Sequence, residues 1–313
     1  MENLILSLNI VGPLFVCMAV GYFLRQIKML DDGLISKLNK LCFKVFLPLY
    51  LMENVYVTDL QAAFDPWLIL FSLIGLFVIF GILLVVIPML EKDNSRRGVV
   101  VQGIFRSNFA LFGLPLAISL CGEGNIGPTS LLIGILVPLY NVLAVIALEG
   151  FRGGKPNVKK MVKGIITNPL IIATVLGVIF NLLHVDFPQI IDKSINDLGK
   201  IATPLSLVAL GGTFTFAKVR KYIKQLSVVV VSKLIIMPIA MMSLAILAGF
   251  RNEDLVPIMI MFAAPTAISS FPMAQQMDGD AELAAQIIVF TSAIAIFTIF
   301  VWIFLLKQFG FIL

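Results

Sequence analysis

The sequence GLPLAIS fills residues 113 to 119, and a related sequence, AAPTAIS, fills residues 263 to 269. Each stretch lies inside a long apolar run, and the two share proline, alanine, isoleucine and serine at matching positions. A proline inside a helix removes a backbone donor and interrupts the hydrogen-bond ladder. The pair of stretches therefore predicts two membrane helices that break at corresponding places, near Pro115 and near Pro265.

The two halves of the chain match elsewhere as well. Pro13 lies 156 residues before Pro169 (169 − 13), whereas Pro115 and Pro265 are 150 residues apart (265 − 115). We interpret residues 1–150 as a first repeat of five helices, 151–161 as a short cytoplasmic linker and 162–313 as a second repeat. Because five is odd, the second repeat enters the membrane from the opposite side and is inverted. Further pairs share the separation of 156 residues, among them Gly21 with Gly177, Lys44 with Lys200, and Pro48 with Pro204.

The composition of the chain fits a bilayer. Hydrophobic residues make up 59% and charged residues 13%, with a mean hydropathy of +1.03, whereas soluble domains carry about 25% charged residues. Apolar runs of about 20 residues can cross the hydrocarbon core as helices. The predicted fold class is an all-α polytopic membrane protein of about ten helices in a five-plus-five inverted repeat, with two crossed, proline-broken helices. The predicted spans lie near 3–24, 34–54, 67–89, 99–121, 128–149, 162–183, 195–215, 225–249, 256–277 and 283–306.

Lysine and arginine concentrate in alternate loops, and loops of this kind usually face the cytoplasm. Both termini are then predicted to be extracytoplasmic, in a multi-pass protein of the cell membrane. No basic residue precedes the first apolar run, so we expect that segment to be retained rather than cleaved as a signal peptide. The basic loops contain Arg25 and Lys28; Lys92, Arg96 and Arg97; Arg152, Lys155, Lys159, Lys160 and Lys163; and Lys218, Arg220, Lys221 and Lys224.

The two predicted breaks form the candidate binding site. The second half of a broken helix presents unpaired N–H groups and a partial positive charge, which suit a carboxylate in mid-membrane. Alternatively, small polar side chains near a proline only repair the helix backbone. Asn141 lies inside another apolar run, where a polar side chain usually faces the bundle. The predicted substrate-binding residues are Asn108, Gly113, Pro115, Ser119, Asn141, Pro265, Thr266 and Ser269.

Several basic residues lie within the predicted spans, among them Lys44, Arg106, Lys200 and Lys233. Lys44 and Lys200 could attract an anion, but long basic side chains also snorkel toward the nearer interface. Arg106 and Lys233 are open to both interpretations. Carboxylates occur only near the ends of the spans, so the sequence does not favour proton coupling. Sodium coupling, proton coupling and uncoupled transport all stay open.

No motif indicates catalysis or a bound cofactor. Cys17, Cys42 and Cys121 are widely spaced in apolar stretches, which indicates neither a disulfide framework nor a metal site. The sequence contains neither an H-E-x-x-H motif nor a nucleotide-binding P-loop, which disfavours an enzyme and an ATP-driven pump. Basic residues do not gather on one face, so nucleic acid is not an expected partner. We expect no catalytic residue, no metal and no cofactor.

Four groups of residues carry a resemblance to a known family: Asn108 with Gly113-Leu114-Pro115-Leu116, Asn168-Pro169, Thr203-Pro204-Leu205 with Ala209-Leu210-Gly211-Gly212, and Pro265 to Met273. In these four groups of residues the chain resembles prokaryotic members of the auxin efflux carrier family, which includes the plant PIN-type exporters. The resemblance implies ten spans, a scaffold part, and a transport part that moves in an elevator-like step. It implies organic anions as substrates, and it places Asn108, Pro115 and Pro265 at the crossing of two broken helices.

Two differences separate the chain from the plant proteins, and the second argues against auxin as the substrate. Only residues 150–161 connect the fifth and sixth spans, where the plant proteins carry a long insert, and Leu170 follows Asn168-Pro169 where they have asparagine. We therefore expect a secondary carrier of a small mono- or dicarboxylate such as malate or malonate. A sodium-coupled symporter resembling the bile-acid carriers and a membrane sensor are the alternatives. The expected partners are the anion and the bilayer, and the sequence leaves a coupling ion and a homodimer open.

Overall fold

The computed structural model describes residues 2–57, 65–152, 158–215 and 219–312, and almost all of these are helical. A π-helical turn, Cys42–Phe46, joins α2 to α3, and a second one, Ser232–Ile236, joins α12 to α13. The α-helices are α1 (Glu2–Gln26), α2 (Asp32–Leu41), α3 (Leu47–Tyr56), α4 (Pro66–Leu90), α5 (Asn94–Phe105), α6 (Phe109–Cys121), α7 (Gly127–Phe151), α8 (Val158–Ile166), α9 (Pro169–Leu182), α10 (Gln189–Lys200), α11 (Ala202–Thr213), α12 (Val219–Val231), α13 (Met237–Leu247), α14 (Asn252–Ala263), α15 (Ser270–Gln276) and α16 (Ala281–Gln308).

Among the described residues, four helices are long and apolar enough to cross a membrane without a break. They have 25 to 29 residues and hydropathies of 2.2 to 3.1, and at about 1.5 Å per residue each exceeds the roughly 30 Å hydrocarbon core. Large apolar side chains on their outer faces are exposed, as in Phe77 and Val85 of α4. The prediction of an all-α membrane protein is confirmed, and the count of ten spans stays a prediction. The four helices are Pro66–Leu90, Gly127–Phe151, Val219–Leu247 and Ala281–Gln308.

Aspartate or asparagine caps the N-termini of several helices. Asp65 accepts from the backbone of Trp67 at 2.8 Å, and Asn168 accepts from Leu170 at 2.9 Å, each directly before a proline at the first helical position. Such caps satisfy donors that have no partner within the helix. At the cap of α5, the hydrogen bond from the Ser95 hydroxyl holds the pKa of Asp93 below its ordinary value. Asn168 therefore has the capping function that its position before a proline suggests.

The helices pack as two bundles. The first bundle contains α1, α2, α3, α9, α10 and α11, the second contains α4 to α7 and α12 to α16, and α8 contacts α7 and α9, one helix of each bundle. Within the first bundle α1 packs mainly on α11, and α3 packs mainly on α9. The cavity described below lies between the two bundles.

Two glycines in the first bundle allow these helix pairs to pack with their backbones in close contact. A Cβ atom at Gly21 of α1 would lie 2.0 Å from the Val208 carbonyl oxygen, and one at Gly177 of α9 would lie 2.7 Å from the Met52 carbonyl oxygen. Only glycine permits such close approach of two backbones. The separation from Gly21 to Gly177 (177 − 21) and that from Met52 to Val208 (208 − 52) are both 156 residues. The same contact thus occurs twice, at the separation found in the sequence.

Candidate functional site

Two broken helices cross inside the second bundle. The helix α5 ends at Phe105 and α6 begins at Phe109, while α14 ends at Ala263 and α15 begins at Ser270. The two connecting segments run antiparallel, with Ser107 opposite Thr266. The Asn108 N–H donates to the Pro265 carbonyl oxygen at 2.8 Å. Backbone groups that the breaks remove from the helix ladders are therefore paired across the crossing, as a membrane interior requires.

The second break lies where the sequence predicts it. Pro265 has no N–H to donate, and Ala264 before it has extended backbone angles (φ −68°, ψ 151°), as expected for a residue preceding proline. Thr266 holds this segment in place, since its hydroxyl donates to the Gly103 carbonyl oxygen of α5 at 2.6 Å. Its backbone N–H donates to the Thr291 hydroxyl at 3.3 Å. Thr266 is thus engaged by protein groups.

The prediction of a break at Pro115 is wrong. Pro115 lies inside α6, and the first break falls at residues 106–108, which contain no proline. Gly113 packs against α7, where a Cβ atom would lie 2.9 Å from Ile133 Cδ1. Pro115 and Ser119 are exposed on α6. A proline removes a single hydrogen bond, which a membrane helix tolerates, whereas the first break is fixed by pairing with the segment at Pro265.

A cavity of about 50 Å³ lies at the crossing, between the two bundles. By the same measure a water molecule needs about 10–15 Å³, so the cavity has room for a few waters or a small ligand. Of the predicted site residues, Asn108, Asn141 and Ser269 line it. Gly113, Pro115, Ser119, Pro265 and Thr266 do not. The lining residues are Leu47, Tyr50, Leu51, Arg106, Ser107, Asn108, Phe109, Leu111, Val137, Tyr140, Asn141, Ala202, Thr203, Ser206, Ala267, Ile268 and Ser269.

Arg106 is the charged group of the cavity. Its side chain is 2% exposed, and its guanidinium donates to the Ser269 hydroxyl at 2.6 Å, to the Asn141 side-chain oxygen and to the Met273 sulfur. The Asn141 amide is oriented in turn by its donation to the Val137 carbonyl oxygen at 2.8 Å. All three partners are neutral. A buried cation with neutral partners stabilises an anion placed beside it, because its desolvation is otherwise uncompensated.

Asn108 adds a free donor. Its side chain is 9% exposed, and its amide nitrogen has no hydrogen-bond partner among the described residues. A buried N–H group without a partner costs about 1–3 kcal/mol. The cavity therefore combines one positive charge with an amide donor available to a ligand, an arrangement that suits a carboxylate.

Arg106 is not among the site residues that the sequence predicts, because its position there is equally open to snorkelling. The available signal was a charged residue at the end of an apolar run, in Arg106-Ser107-Asn108, because an arginine at membrane depth usually faces a polar interior. Lys233 is also buried, and its amine has no partner in the described part of the chain, but it does not line the cavity. Lys44 and Lys200 are exposed.

Comparisons with known proteins identify the class of the molecule. A family model described as "Membrane transport protein" matches residues 7–150 and 156–303. The protein named "Putative malonate transporter" from Rhizobium meliloti is 23% identical over 96% of this chain and 96% of its own length. An "Uncharacterized transporter" from Methanothermobacter thermautotrophicus is 23% identical over 95% of this chain and 97% of its own length. The chain therefore belongs to the membrane transport protein family, the auxin efflux carrier family that its motifs resemble, and is a membrane transporter rather than an enzyme.

Proposed function

We propose that this protein is a secondary carrier of a small organic anion, a mono- or dicarboxylate such as malonate or malate. The observation that carries the proposal is the pairing of Arg106, a buried cation with neutral partners, with the unpartnered amide of Asn108 in one cavity. The name of the Rhizobium meliloti relative supports a dicarboxylate.

A carboxylate would bind between these two side chains. It would replace Ser269 as an acceptor for the Arg106 guanidinium, and it would also accept from the Asn108 amide. Both contacts would be charge-assisted hydrogen bonds. The helix α6 begins at Phe109, directly beside the cavity, so its N-terminal partial charge would act in the same direction. The small cavity favours a short carboxylate over an aromatic one such as indole-3-acetate.

We propose that the fold is a five-plus-five inverted repeat, with residues 1–150 and 162–313 as the two copies and 151–161 as the linker. The repeated glycine contacts, Gly21 with Val208 and Gly177 with Met52, support this. Alternating access would then come from elevator-like movement of the second bundle, which contains the crossing, against the first. Inverted repeats that meet at a central site of broken helices suit this mechanism.

We propose further that the basic loops face the cytoplasm, so that both termini are extracytoplasmic in the cell membrane.

In that orientation the cavity is closed from the cytoplasm, since α15 is buried and packs against α2. The Asn39 amide donates to Gln275 across this contact. On α6, Pro115 and Ser119 are exposed on the face that continues from Leu111 of the cavity lining. These features support an outward-facing state.

Uptake into liposomes tests the proposal. Purified protein would be reconstituted, and labelled malonate, malate, succinate, lactate and indole-3-acetate would be offered under separate sodium, proton and voltage gradients. We expect saturable uptake of a short carboxylate, and the gradient that drives uptake identifies sodium coupling, proton coupling or no coupling.

Arg106→Gln should lower uptake at least tenfold, by the loss of roughly 1.5–3 kcal/mol per charge-assisted hydrogen bond. The matched control is Lys44→Gln, which removes an exposed charge. Equal uptake in both variants would contradict the proposed site.

A further inference from the structure

The positive charge of the cavity is fixed to one bundle. Arg106 connects α5 to α6, and its hydrogen-bond acceptors lie on α7, on the segment before α15 and on α15 itself. All of these belong to the second bundle, so the guanidinium moves with that bundle whenever the two bundles shift relative to each other.

The first bundle supplies only neutral groups to the cavity. Its lining residues are Leu47, Tyr50 and Leu51 of α3, and Ala202, Thr203 and Ser206 of α11. The nearest carboxylate along α3, Glu53, accepts from Asn196 of α10 and is not part of the lining. Among the described residues, therefore, the cavity lining contains no carboxylate that could neutralise Arg106 when no anion is bound.

This arrangement makes the empty and loaded carriers electrostatically different. An unpaired guanidinium that moves through the low-dielectric membrane interior has a large desolvation cost. A bound anion with a single negative charge makes the pair neutral and lowers this cost. A doubly charged anion would reverse the sign of the net charge rather than remove it.

We propose that the protein works as an exchanger of singly charged carboxylates, in which a dicarboxylate moves with one of its carboxyl groups protonated. One anion enters for each anion that leaves, because the second bundle returns readily only when Arg106 is paired. This inference rests on the proposed function, and it concerns the return step of the carrier rather than the identity of the binding site.

The test compares two batches of proteoliposomes that differ only in the lumen. One batch contains unlabelled malonate and the other contains chloride at the same ionic strength, and the membrane potential is held at zero. Labelled malonate is added outside at mildly acidic pH. We expect initial uptake at least about tenfold faster into the malonate-loaded batch, since an empty carrier returns with an unpaired charge. The residual uptake by Arg106→Gln should be about equally fast into the malonate-loaded and chloride-loaded batches. Arg106→Lys keeps the positive charge and should keep uptake faster into the malonate-loaded batch.

The outcomes separate the two proposals. Equal uptake by the wild-type protein into both batches would overturn the exchange mechanism and leave the carrier function in place. A high ratio that persists in Arg106→Gln would also overturn it, because the charge of Arg106 would then not be its cause. No uptake into either batch, under any gradient, would overturn the proposed malonate carrier and the exchange mechanism with it.

Discussion

Single residues decide how the crossing binds a ligand, and Asn108 illustrates this. Its amide nitrogen has no partner among the described residues, so donating to the substrate breaks no hydrogen bond of the protein. We predict that Asn108→Ala raises the apparent KM for the transported anion about tenfold, since a hydrogen bond to a charged group contributes roughly 1.5–3 kcal/mol. Folded yield should be unchanged. The control is Asn125→Ala, at an exposed asparagine outside the cavity. An unchanged KM in Asn108→Ala would make Asn108 a structural residue.

The two prolines of the matched stretches should respond differently to substitution. Pro115 lies within a continuous helix on an exposed face, so Pro115→Ala should keep transport within about twofold and stabilise α6, because alanine restores a helical donor. Pro265 lies in the crossing, and Pro265→Ala adds an N–H group that favours a continuous helix. We expect that variant to lose most of its uptake. Equal effects of the two substitutions would contradict the assignment of the breaks.

The sequence predicts part of the site and misses part of it, for a physical reason. The sequence predicts Asn141 because a polar residue in an apolar run faces the interior, and it predicts Asn108 and Ser269 because they flank the predicted breaks. The first break was misplaced because Pro115 marks a local weakness in the helix, while the actual break at Arg106 depends on pairing with a segment about 160 residues away. Tertiary pairing of this kind leaves no local signal. The charge of Arg106 was visible in the sequence, but only its burial shows that it faces the cavity.

At the scale of helices, glycine contacts hold the first bundle together. A Cβ atom at Gly21 would lie 2.0 Å from the Val208 carbonyl oxygen, whereas one at Gly12 of the same helix meets nothing within 4 Å. Gly21→Ala should therefore lower the stability of the detergent-solubilised protein by about 1–3 kcal/mol through overpacking. Gly12→Ala should be neutral or slightly stabilising, since alanine favours the helix. Thermal unfolding followed by tryptophan fluorescence would compare them, and equal midpoints would contradict the packing of α1 on α11.

The contact between α2 and α15 should control access from one side. Asn39 and Gln275 lie on different bundles and share a hydrogen bond, so relative movement of the bundles must separate them. We predict that Asn39→Cys with Gln275→Cys, in a background without the three native cysteines, forms a disulfide on oxidation and stops uptake. Reduction should restore uptake. Either cysteine alone should be insensitive to oxidant, and transport by the fully cross-linked protein would show that the bundles need not separate here.

For the whole molecule, composition and apolar run length predict the bilayer as the solvent and an all-α membrane protein, because long apolar runs have no other stable environment. The inverted repeat was inferred from matching residues, and the glycine contacts give it physical support. The two broken helices meet at one place, where Arg106 and Asn108 line a small cavity. The central claim is that the transported anion binds there.

A structure of the protein at saturating concentration of the anion identified by the uptake assay tests this claim most directly. We predict density for one molecule in the cavity at the crossing, with a carboxylate within hydrogen-bond distance of the Arg106 guanidinium and the Asn108 amide. An anion bound elsewhere, with the crossing empty, would contradict it.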